Sequence, residues 1–174
     1  CVVLTPRSRV PRRNTDARVE CSPMNILAIE TSCEKGSIAL LHDGNVVESE
    51  LDGVAAHSEG VLPAIQWLLI DAGLAVNELD AIAFGCGPGA FTGLRLACGV
   101  AQGLALGAGI GVVAICSLDV LAAQRTENLV IAATDARLGE IYHCLYERDT
   151  DGSLRAMGDP VCCKPDSIVL PAGH

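Results

Sequence analysis

The sequence predicts an α/β fold built from two copies of one βββαβαβα unit, the second of them incomplete. Short apolar runs bounded by turn residues alternate with apolar stretches of helical period, as in a layered domain of sheet and helices. The pattern of the opening strands then returns from Leu129 onward. Composition agrees, because 50% of the 174 residues are hydrophobic and only 3% are aromatic. Val, Ile, Leu and Ala must therefore fill the core.

The first unit opens with a predicted antiparallel meander. Its three strands are expected at 25–30, 36–41 and 45–51. Asp43-Gly44 separates the last two strands, and Asp-Gly is a preferred pair in tight hairpins. Apolar residues then recur at i, i+4 and i+7 over 61–72, which predicts an amphipathic helix that ends at Gly73. Pro63 is expected in the first turn of this helix, where a missing N–H is tolerated.

The first unit continues with alternating strands and helices. We expect a strand at 80–86, a second helix at 93–106, a strand at 111–115 and a third helix at 117–125. Thr92 and Ser117 are the predicted caps of the two helices. The stretch from Leu96 to Leu118 carries no charge and is long enough to span a bilayer. Its five glycines favour a helix, a turn and a buried strand instead, so no membrane association is expected.

The segment GCGPGAFTGLR at 85–95 is the most informative motif. Four glycines and a proline between a strand and a helix indicate backbone that a Cβ would obstruct. Two interpretations stay open here. The N–H groups at the start of the helix could cradle a phosphate, or the turn could simply let the helix pack close to the strand. The spacing matches neither a Walker loop nor a dinucleotide-binding fingerprint.

The second unit repeats the opening of the first. The repeated parts are the first strand and its turn at 129–137, the second strand at 140–146 and the hairpin pair at 151–152. In this alignment Glu30 and Asp135 each close the first strand of their unit. The second unit stops after Leu170 without the helices that should cover its sheet. We therefore expect the second half to be truncated.

Residues 1–23 differ from the rest of the chain. Five arginines against two acidic residues give this segment a charge of +3, and it shows no helix or strand pattern. A disordered or non-native leader is expected there, followed by a first subdomain at 24–127 and the start of a second at 128–174. Since the whole chain carries −9, residues after the leader carry −12. This acidic part lacks the basic face that nucleic-acid binding needs.

The order of elements, with an acidic residue closing the first strand of each unit, resembles the actin, sugar kinase and Hsp70 superfamily (ASKHA), whose fold is ribonuclease H-like. Five segments narrow this resemblance to the TsaB family, also called YeaZ: ILAIETS at 26–32, HSEGVLP at 57–63, GCGPGAFTGLR at 85–95, SLDVLA at 117–122 and DARLGEIY at 135–142. The resemblance covers Met24 to about Tyr146 in order and spacing.

The resemblance implies a non-catalytic scaffold rather than an enzyme. TsaB proteins are partners of TsaD, which carries the metal and the transfer chemistry in making N6-threonylcarbamoyladenosine (t6A37) in tRNA. TsaE is an ATPase that joins the two, and a TsaB homodimer is expected when TsaD is absent. Contact with tRNA would occur only through the complex, in the cytoplasm. No metal or cofactor is expected, although weak or vestigial nucleotide binding stays open.

Two other functions remain as alternatives. One is an ATP-dependent small-molecule kinase of the same superfamily, which needs a complete second half with a phosphate loop. The other is a metal-dependent transferase like TsaD. That family places a second histidine four residues after the first on the first helix, whereas here Val61 stands at that distance from His57. His57 is therefore interpreted as part of a helix cap.

Four residues are candidates for an interdomain cleft: Glu30, Thr31, Asp135 and Arg137. By the resemblance, Asp135 stands where superfamily enzymes orient a metal-bound phosphate. The alternative for Asp135 and Arg137 is a turn aspartate paired with a local arginine. The same two interpretations, a cleft residue or a local structural residue, apply to Glu30 and Thr31.

The first two helices of the first unit form the predicted partner interface. Over 93–106 the second helix has only Arg95 and Gln102 as polar side chains, so it lacks the broad polar face of a surface helix. Glycines at intervals of four allow another element to approach closely. The interface residues are Trp67, Arg95, Gly99, Gln102, Gly103 and Leu106.

The nine cysteines show no CxxC spacing and are interpreted as small hydrophobic residues of a reducing compartment. Cys162 and Cys163 are adjacent in sequence and cannot easily bridge to each other.

Overall fold

The computed structural model describes residues 2–4, 24–52 and 54–168, with no side chains described for 2–4 and 54–56. In chain order its helices and strands are β1 Val2–Leu4, β2 Ile26–Glu30, β3 Lys35–His42, β4 Asn45–Asp52, α1 Val54–Asp71, β5 Ala81–Gly85, α2 Phe91–Ala108, β6 Gly111–Ile115, α3 Ser117–Ala123, β7 Leu129–Arg137, β8 Glu140–Arg148, β9 Leu154–Ala156 and β10 Val161–Cys163. Short 3-10 turns lie at Val76–Glu78 and Pro165–Ser167. The described residues divide into two compact units, one ending at Ser117 and the other beginning at Leu118 and including β1.

The first unit is a five-stranded mixed sheet of order β4-β3-β2-β5-β6. The predicted meander is confirmed, because β3 pairs antiparallel with both β2 and β4, whereas β5 pairs parallel with β2 and with β6. Helices α1 and α2 pack on this sheet. The core includes apolar side chains from the strands and both helices: Leu27, Ile29, Ile38, Leu40, Val61, Ile65, Leu68, Ile82, Ala97, Ala101 and Ala105.

Helix α1 is longer than predicted. It begins at Val54, so Pro63 lies in its interior rather than in its first turn. An interior proline removes one backbone hydrogen bond and normally destabilises a helix. Here the buried side chains of Val61, Ile65 and Leu68 flank it, and their packing on the sheet stabilises the helix.

The apolar stretch after Arg95 forms a helix, a turn and a strand, as predicted. The expectation that this strand is buried is wrong, because β6 lies at the edge of the described sheet and its residues 111–114 are exposed. Helix α2 ends at Gly109, which has a left-handed φ of 71° and donates its N–H to the carbonyl oxygen of Ala105. The predicted cap at Thr92 is wrong, because the helix already begins at Phe91 and the capping position is Ala90, which has no side-chain hydrogen bond. Among the described residues, one helix, α2, is long enough and apolar enough to cross a membrane, judged by length and composition. Core helices of soluble proteins meet the same criterion.

The second unit contains a five-stranded antiparallel sheet of order β1-β7-β8-β10, with β9 also paired to β8. Strand β7 follows the predicted bounds, and the repeat of the opening strands is present. Helix α3 groups with this unit from Leu118 onward: Leu118 and Ala122 are buried, and the Tyr146 hydroxyl donates a 2.6 Å hydrogen bond to Asp119.

Strand β1 corrects the expectation that residues 1–23 contain no strand. Val2–Leu4 pairs antiparallel with β7, placing Val2 opposite Ala133. A run of three residues is too short for a periodicity analysis to detect, because alternation needs at least four. Residues 5–23 lie outside the described residues.

Candidate functional site

Three segments of the first unit lie at the carboxyl ends of the parallel strands. They are the turn 30–32 after β2, the glycine-rich segment 85–90 after β5, and Ser117 after β6. In open α/β sheets, ligands bind at this edge. The geometry of these segments therefore decides what the edge can bind.

The side chain of Glu30 connects the turn after β2 with Ser117. Its Oε1 accepts a 2.7 Å hydrogen bond from the backbone N–H of Ser32, and its Oε2 accepts a 2.8 Å hydrogen bond from the hydroxyl of Ser117. The hydroxyls of Ser32 and Ser117 are themselves 3.2 Å apart. The predicted cap Ser117 is the first residue of α3, and its hydroxyl donates a hydrogen bond to the Glu30 carboxylate. This bond joins residues 87 positions apart, so local pattern could not reveal it.

The glycines of the motif are required by contact with this same turn. A Cβ on Gly85 would overlap the carboxylate of Glu30, and a Cβ on Gly93 would overlap the carbonyl oxygen of Thr31. A Cβ on Gly89 would lie 2.5 Å from the carbonyl oxygen of Ser32. Of the two interpretations of the motif, close packing accounts for three of its four glycines.

Backbone donors of the glycine-rich segment also have partners within the protein. Ala90 donates its N–H to Ser32, and Cys86 donates its N–H to the carbonyl oxygen of Ile115. Thr31 is 1% exposed and its hydroxyl donates a 2.8 Å hydrogen bond to the carbonyl oxygen of Gly93. Glu30 and Thr31, both predicted cleft candidates, are therefore hydrogen-bonded to other residues at this edge of the sheet. A carboxylate lies where a phosphate-binding loop would need positive potential.

Burial, and then the charge of Glu30, raises the pKa of the neighbouring Cys33 thiol. The thiol donates a 3.2 Å hydrogen bond to the carbonyl oxygen of Lys35. Cys33 is accordingly held in its neutral form at this edge.

Asp135 and Arg137, the other two candidates, lie together in the second unit. The Asp135 carboxylate accepts a 2.8 Å hydrogen bond from the Arg137 backbone N–H, and their charged groups are 3.8 Å apart. Both side chains are about two-thirds exposed. A register shift between them interrupts the pairing of β7 with β8. This geometry is that of a turn aspartate with a local arginine, and their placement in an interdomain cleft stays a prediction.

His57 is a core residue, so its interpretation as part of a helix cap is wrong. It lies in the first turn of α1, is 2% exposed, and has its Nε2 3.3 Å from the carbonyl oxygen of Leu51. A Cβ on Gly36 would lie 2.9 Å from the same Nε2, so the imidazole packs directly on β3. Val61, at the position of the second histidine of TsaD-type enzymes, is also buried. Among the described residues, no group of three or more His, Cys, Asp or Glu could hold a metal ion.

The six residues of the predicted interface are all exposed. They are Trp67 on α1 and Arg95, Gly99, Gln102, Gly103 and Leu106 on α2. The buried side of α2 is formed by Gly93, Ala97, Ala101 and Ala105. Around a helix the glycines Gly99 and Gly103 stand opposite to that side, and a Cβ on either would meet nothing within 4 Å.

Three further apolar residues extend this surface and were missed in the sequence. Leu62 and Ile70 on α1 and Phe91 on α2 are exposed, and the Arg95 guanidinium stacks 3.7 Å from the centre of the Phe91 ring. Leu62 had the spacing of the buried stripe, so the helical period alone assigned it to the core. We name the exposed residues 62, 67 and 70 of α1 with 91, 95, 99, 102, 103 and 106 of α2 the helix-pair surface.

Comparisons with known proteins agree with these motifs. A family model described as TsaD, tRNA N6-adenosine threonylcarbamoyltransferase, matches residues 48–173. The tRNA threonylcarbamoyladenosine biosynthesis protein TsaB of Escherichia coli (strain K12) is 37% identical over 149 residues, which cover 83% of this chain and 64% of that protein. TsaB of Haemophilus influenzae is 42% identical over 131 residues, covering 72% of this chain and 55% of that protein. This chain thus spans between about half and two thirds of these relatives.

The solved structure of YeaZ from Pseudomonas aeruginosa superposes with a TM-score of 0.79 at 39% identity, covering 85% of this chain and 71% of that one. A likeness of this size at this identity establishes a common fold. With the family model and the named relatives, it shows that this chain belongs to the TsaB (YeaZ) family, with an α/β fold of the ASKHA type.

Proposed function

We propose that this chain acts as a non-catalytic partner subunit in the synthesis of N6-threonylcarbamoyladenosine in tRNA, where it supports TsaD together with TsaE. The names of the TsaB relatives support a role in this pathway. The scaffold role rests on the helix-pair surface. In the absence of TsaD, the same surface would pair two copies of this chain.

The helix-pair surface carries the proposal because it is apolar where a surface helix is normally polar. Trp67 is 54% exposed, Ile70 70% and Leu106 86%. Large exposed apolar side chains on neighbouring helices are typical of a protein interface, and Trp is a frequent anchor residue. The bare backbone at Gly99 and Gly103 lets a partner helix approach closely. An apolar helix of TsaD is therefore the proposed occupant.

The edge of the sheet supports a role without catalysis or cofactor. Glu30 places a negative charge against the glycine-rich segment, which disfavours the phosphates that a kinase of this superfamily would bind. His57 is buried against the sheet and Val61 replaces the second metal ligand of a TsaD-type transferase. We therefore rank the kinase and the metal-dependent transferase below the scaffold.

The acidic charge argues for indirect contact with tRNA. At −9 overall, the chain would repel a phosphate backbone, so tRNA would be held by the complex rather than by this subunit. The cytoplasm, where tRNA is modified, is the proposed location.

The test is co-purification of the full chain with TsaD from the same source, followed by tRNA modification with TsaE and the activated threonylcarbamoyl donor. Gly103→Leu is the informative variant. Leu has the higher helix propensity by about 0.5–1 kcal/mol, so α2 should be no less stable, while its side chain would hold the partner helix away. Gly158→Leu is the matched control, because Gly158 also has open space at its Cβ position and lies in the other unit.

We expect wild type and Gly158→Leu to bind TsaD and support modification, and Gly103→Leu to lose at least tenfold in affinity. Equal binding by all three proteins would contradict the proposed surface. Binding without any increase in modification would contradict the scaffold function while leaving the surface in place.

A further inference from the structure

Cys162 and Cys163 are neighbours in sequence but face opposite sides of the second sheet. In the pairing of β10 with β8, Cys162 stands opposite Tyr142 and Cys163 opposite Ile141. Paired residues project to the same face of a sheet, and successive residues of a strand project to opposite faces. The two sulfur atoms therefore lie in different surroundings.

The difference in surroundings is chemical. The Sγ of Cys163 lies 3.6 Å from Nδ1 of His143, on the face that carries Ile141. The Sγ of Cys162 lies 3.8 Å from Oε2 of Glu140. An imidazole can accept the thiol proton, and its cation then stabilises the thiolate, whereas a carboxylate repels a thiolate. Although Cys162 is exposed, partial desolvation of its thiol, and then the charge of Glu140, raises its pKa.

Two other described cysteines donate hydrogen bonds from their thiols to backbone carbonyl oxygens. Cys33 donates to the carbonyl oxygen of Lys35, and Cys144 donates to that of Gly158 at 3.3 Å. A carbonyl oxygen accepts a hydrogen bond without taking up the proton. Of the cysteines whose hydrogen bonds are described here, Cys163 is the one that contacts an imidazole. Its side chain is partly exposed.

We propose that Cys163, with His143 as its proton acceptor, is a thiol modification site that reacts with low-molecular-weight disulfides. His143 takes the proton from Sγ, and the thiolate attacks one sulfur of the disulfide. A sulfur–sulfur bond forms to Cys163 while the bond within the disulfide breaks, and the released thiolate takes up a proton from His143 or water. The protein thiol is oxidised and the leaving sulfur is reduced, so no further reactant is needed.

The mixed disulfide at Cys163 would persist until an external thiol removes it. Resolution within the protein requires a second thiolate close to the modified sulfur. The nearest cysteine in sequence, Cys162, projects to the opposite face of the sheet, and Glu140 disfavours its thiolate. The site therefore responds to the ratio of disulfide to thiol in its surroundings.

The experiment exposes the full chain to glutathione disulfide and to iodoacetamide at neutral pH, and follows each cysteine by peptide-resolved mass spectrometry. In the wild type, we expect Cys163 to react about tenfold faster than Cys162 with both reagents. This comparison needs no variant, because both cysteines lie in the same folded protein. Equal rates at the two cysteines, or a faster Cys162, would overturn the proposal.

Two variants then identify the cause. His143→Gln keeps a polar side chain but removes the base, and should slow Cys163 at least fivefold without slowing Cys162. Glu140→Gln is the matched control, since it should speed Cys162 and leave Cys163 unchanged. An unchanged rate at Cys163 in His143→Gln would show that the imidazole has no part in the reaction. If both cysteines accelerate in that variant, the sheet has opened, and the wild-type ratio alone decides.

Discussion

The turn after β2 and the turn at the end of β7 hold equivalent places in the two units, but their surroundings differ. In the first unit Glu30 is bonded to Ser32 and Ser117, and Thr31 is buried. In the second unit Asp135 is exposed and bonded to the neighbouring Arg137. The same position of the repeated motif thus carries an acidic residue in both units. In the first unit this residue, Glu30, bonds to a distant segment, and in the second unit Asp135 bonds within its own turn.

The backbone shows the same contrast. Around Glu30 the glycines are required by lack of space, whereas at the second turn the residues Arg137, Leu138 and Gly139 all have positive φ, of 70°, 54° and 79°. Leu138 is 98% exposed. Tertiary contact therefore determines the first turn, and local backbone conformation determines the second. Substitutions that distinguish a steric clash at Cβ from an unfavourable positive φ can test this difference.

The largest effect is expected at Gly93. In Gly93→Ala the new methyl group would overlap the carbonyl oxygen of Thr31, so helix α2 or the turn must move. We expect the free energy of unfolding, measured by urea denaturation, to fall by about 3 kcal/mol or more. Gly139→Ala is the control, because its Cβ meets nothing and only its positive φ is unfavourable, by about 1–2 kcal/mol. If both variants lost the same free energy of unfolding, the proposed difference between a sterically determined turn and a conformationally determined turn would be contradicted.

The next effect separates the two acids. Glu30→Gln weakens the charge-assisted hydrogen bonds to Ser32 and Ser117, and should lower the free energy of unfolding by about 2 kcal/mol. Asp135→Asn keeps an oxygen that can accept from Arg137, and its exposed ion pair contributes little, so a change within about 0.5 kcal/mol is expected. Thermal and urea unfolding of both variants would measure this. A larger loss for Asp135→Asn than for Glu30→Gln would reverse the comparison.

A stabilising change is expected at the second turn. Leu138 adopts a left-handed conformation that Asn tolerates better than Leu, and its side chain has no packing to lose. Leu138→Asn should raise the free energy of unfolding by about 0.5–1 kcal/mol. Leu138→Ala shortens the side chain without relieving the backbone, so it should show no gain in the same urea titration. A gain of equal size in Leu138→Ala would assign the effect to loss of the exposed apolar surface instead.

The parts of the fold that depend on local pattern could be predicted from the sequence. Strand β6 follows its predicted bounds, the meander is present, and a long uncharged stretch was correctly divided into a helix, a turn and a strand. Turn pairs and apolar periods are properties of neighbouring residues, so they can be read without a partner. The exposure of Trp67 could be predicted for the same reason, because it departs from the buried stripe of α1.

The remaining features depend on contacts between distant residues. Pro63 is tolerated inside α1 because the side chains on either side of it pack on the sheet, and propensity does not report that packing. The bond between Glu30 and Ser117 joins the ends of two strands that meet only in the folded sheet. His57 illustrates the same limit, since its partner is the carbonyl oxygen of Leu51 on the adjacent strand rather than a group of its own helix.

The smallest effect concerns the thiol beside the first turn. Burial and then Glu30 raise the pKa of Cys33 above its ordinary value of 9.0, so the folded state holds the thiol proton more tightly than the unfolded state does. The stability from this difference is fully present below the unfolded value and is lost as the pH rises through the folded pKa. Glu30→Gln removes the second cause and leaves burial. The pH profile of iodoacetamide alkylation at Cys33, followed by mass spectrometry, should therefore move to lower pH in Glu30→Gln and stay unchanged in Asp135→Asn. An identical profile in Glu30→Gln would mean that burial alone sets this pKa and that the charge of Glu30 is neutralised by its hydrogen bonds.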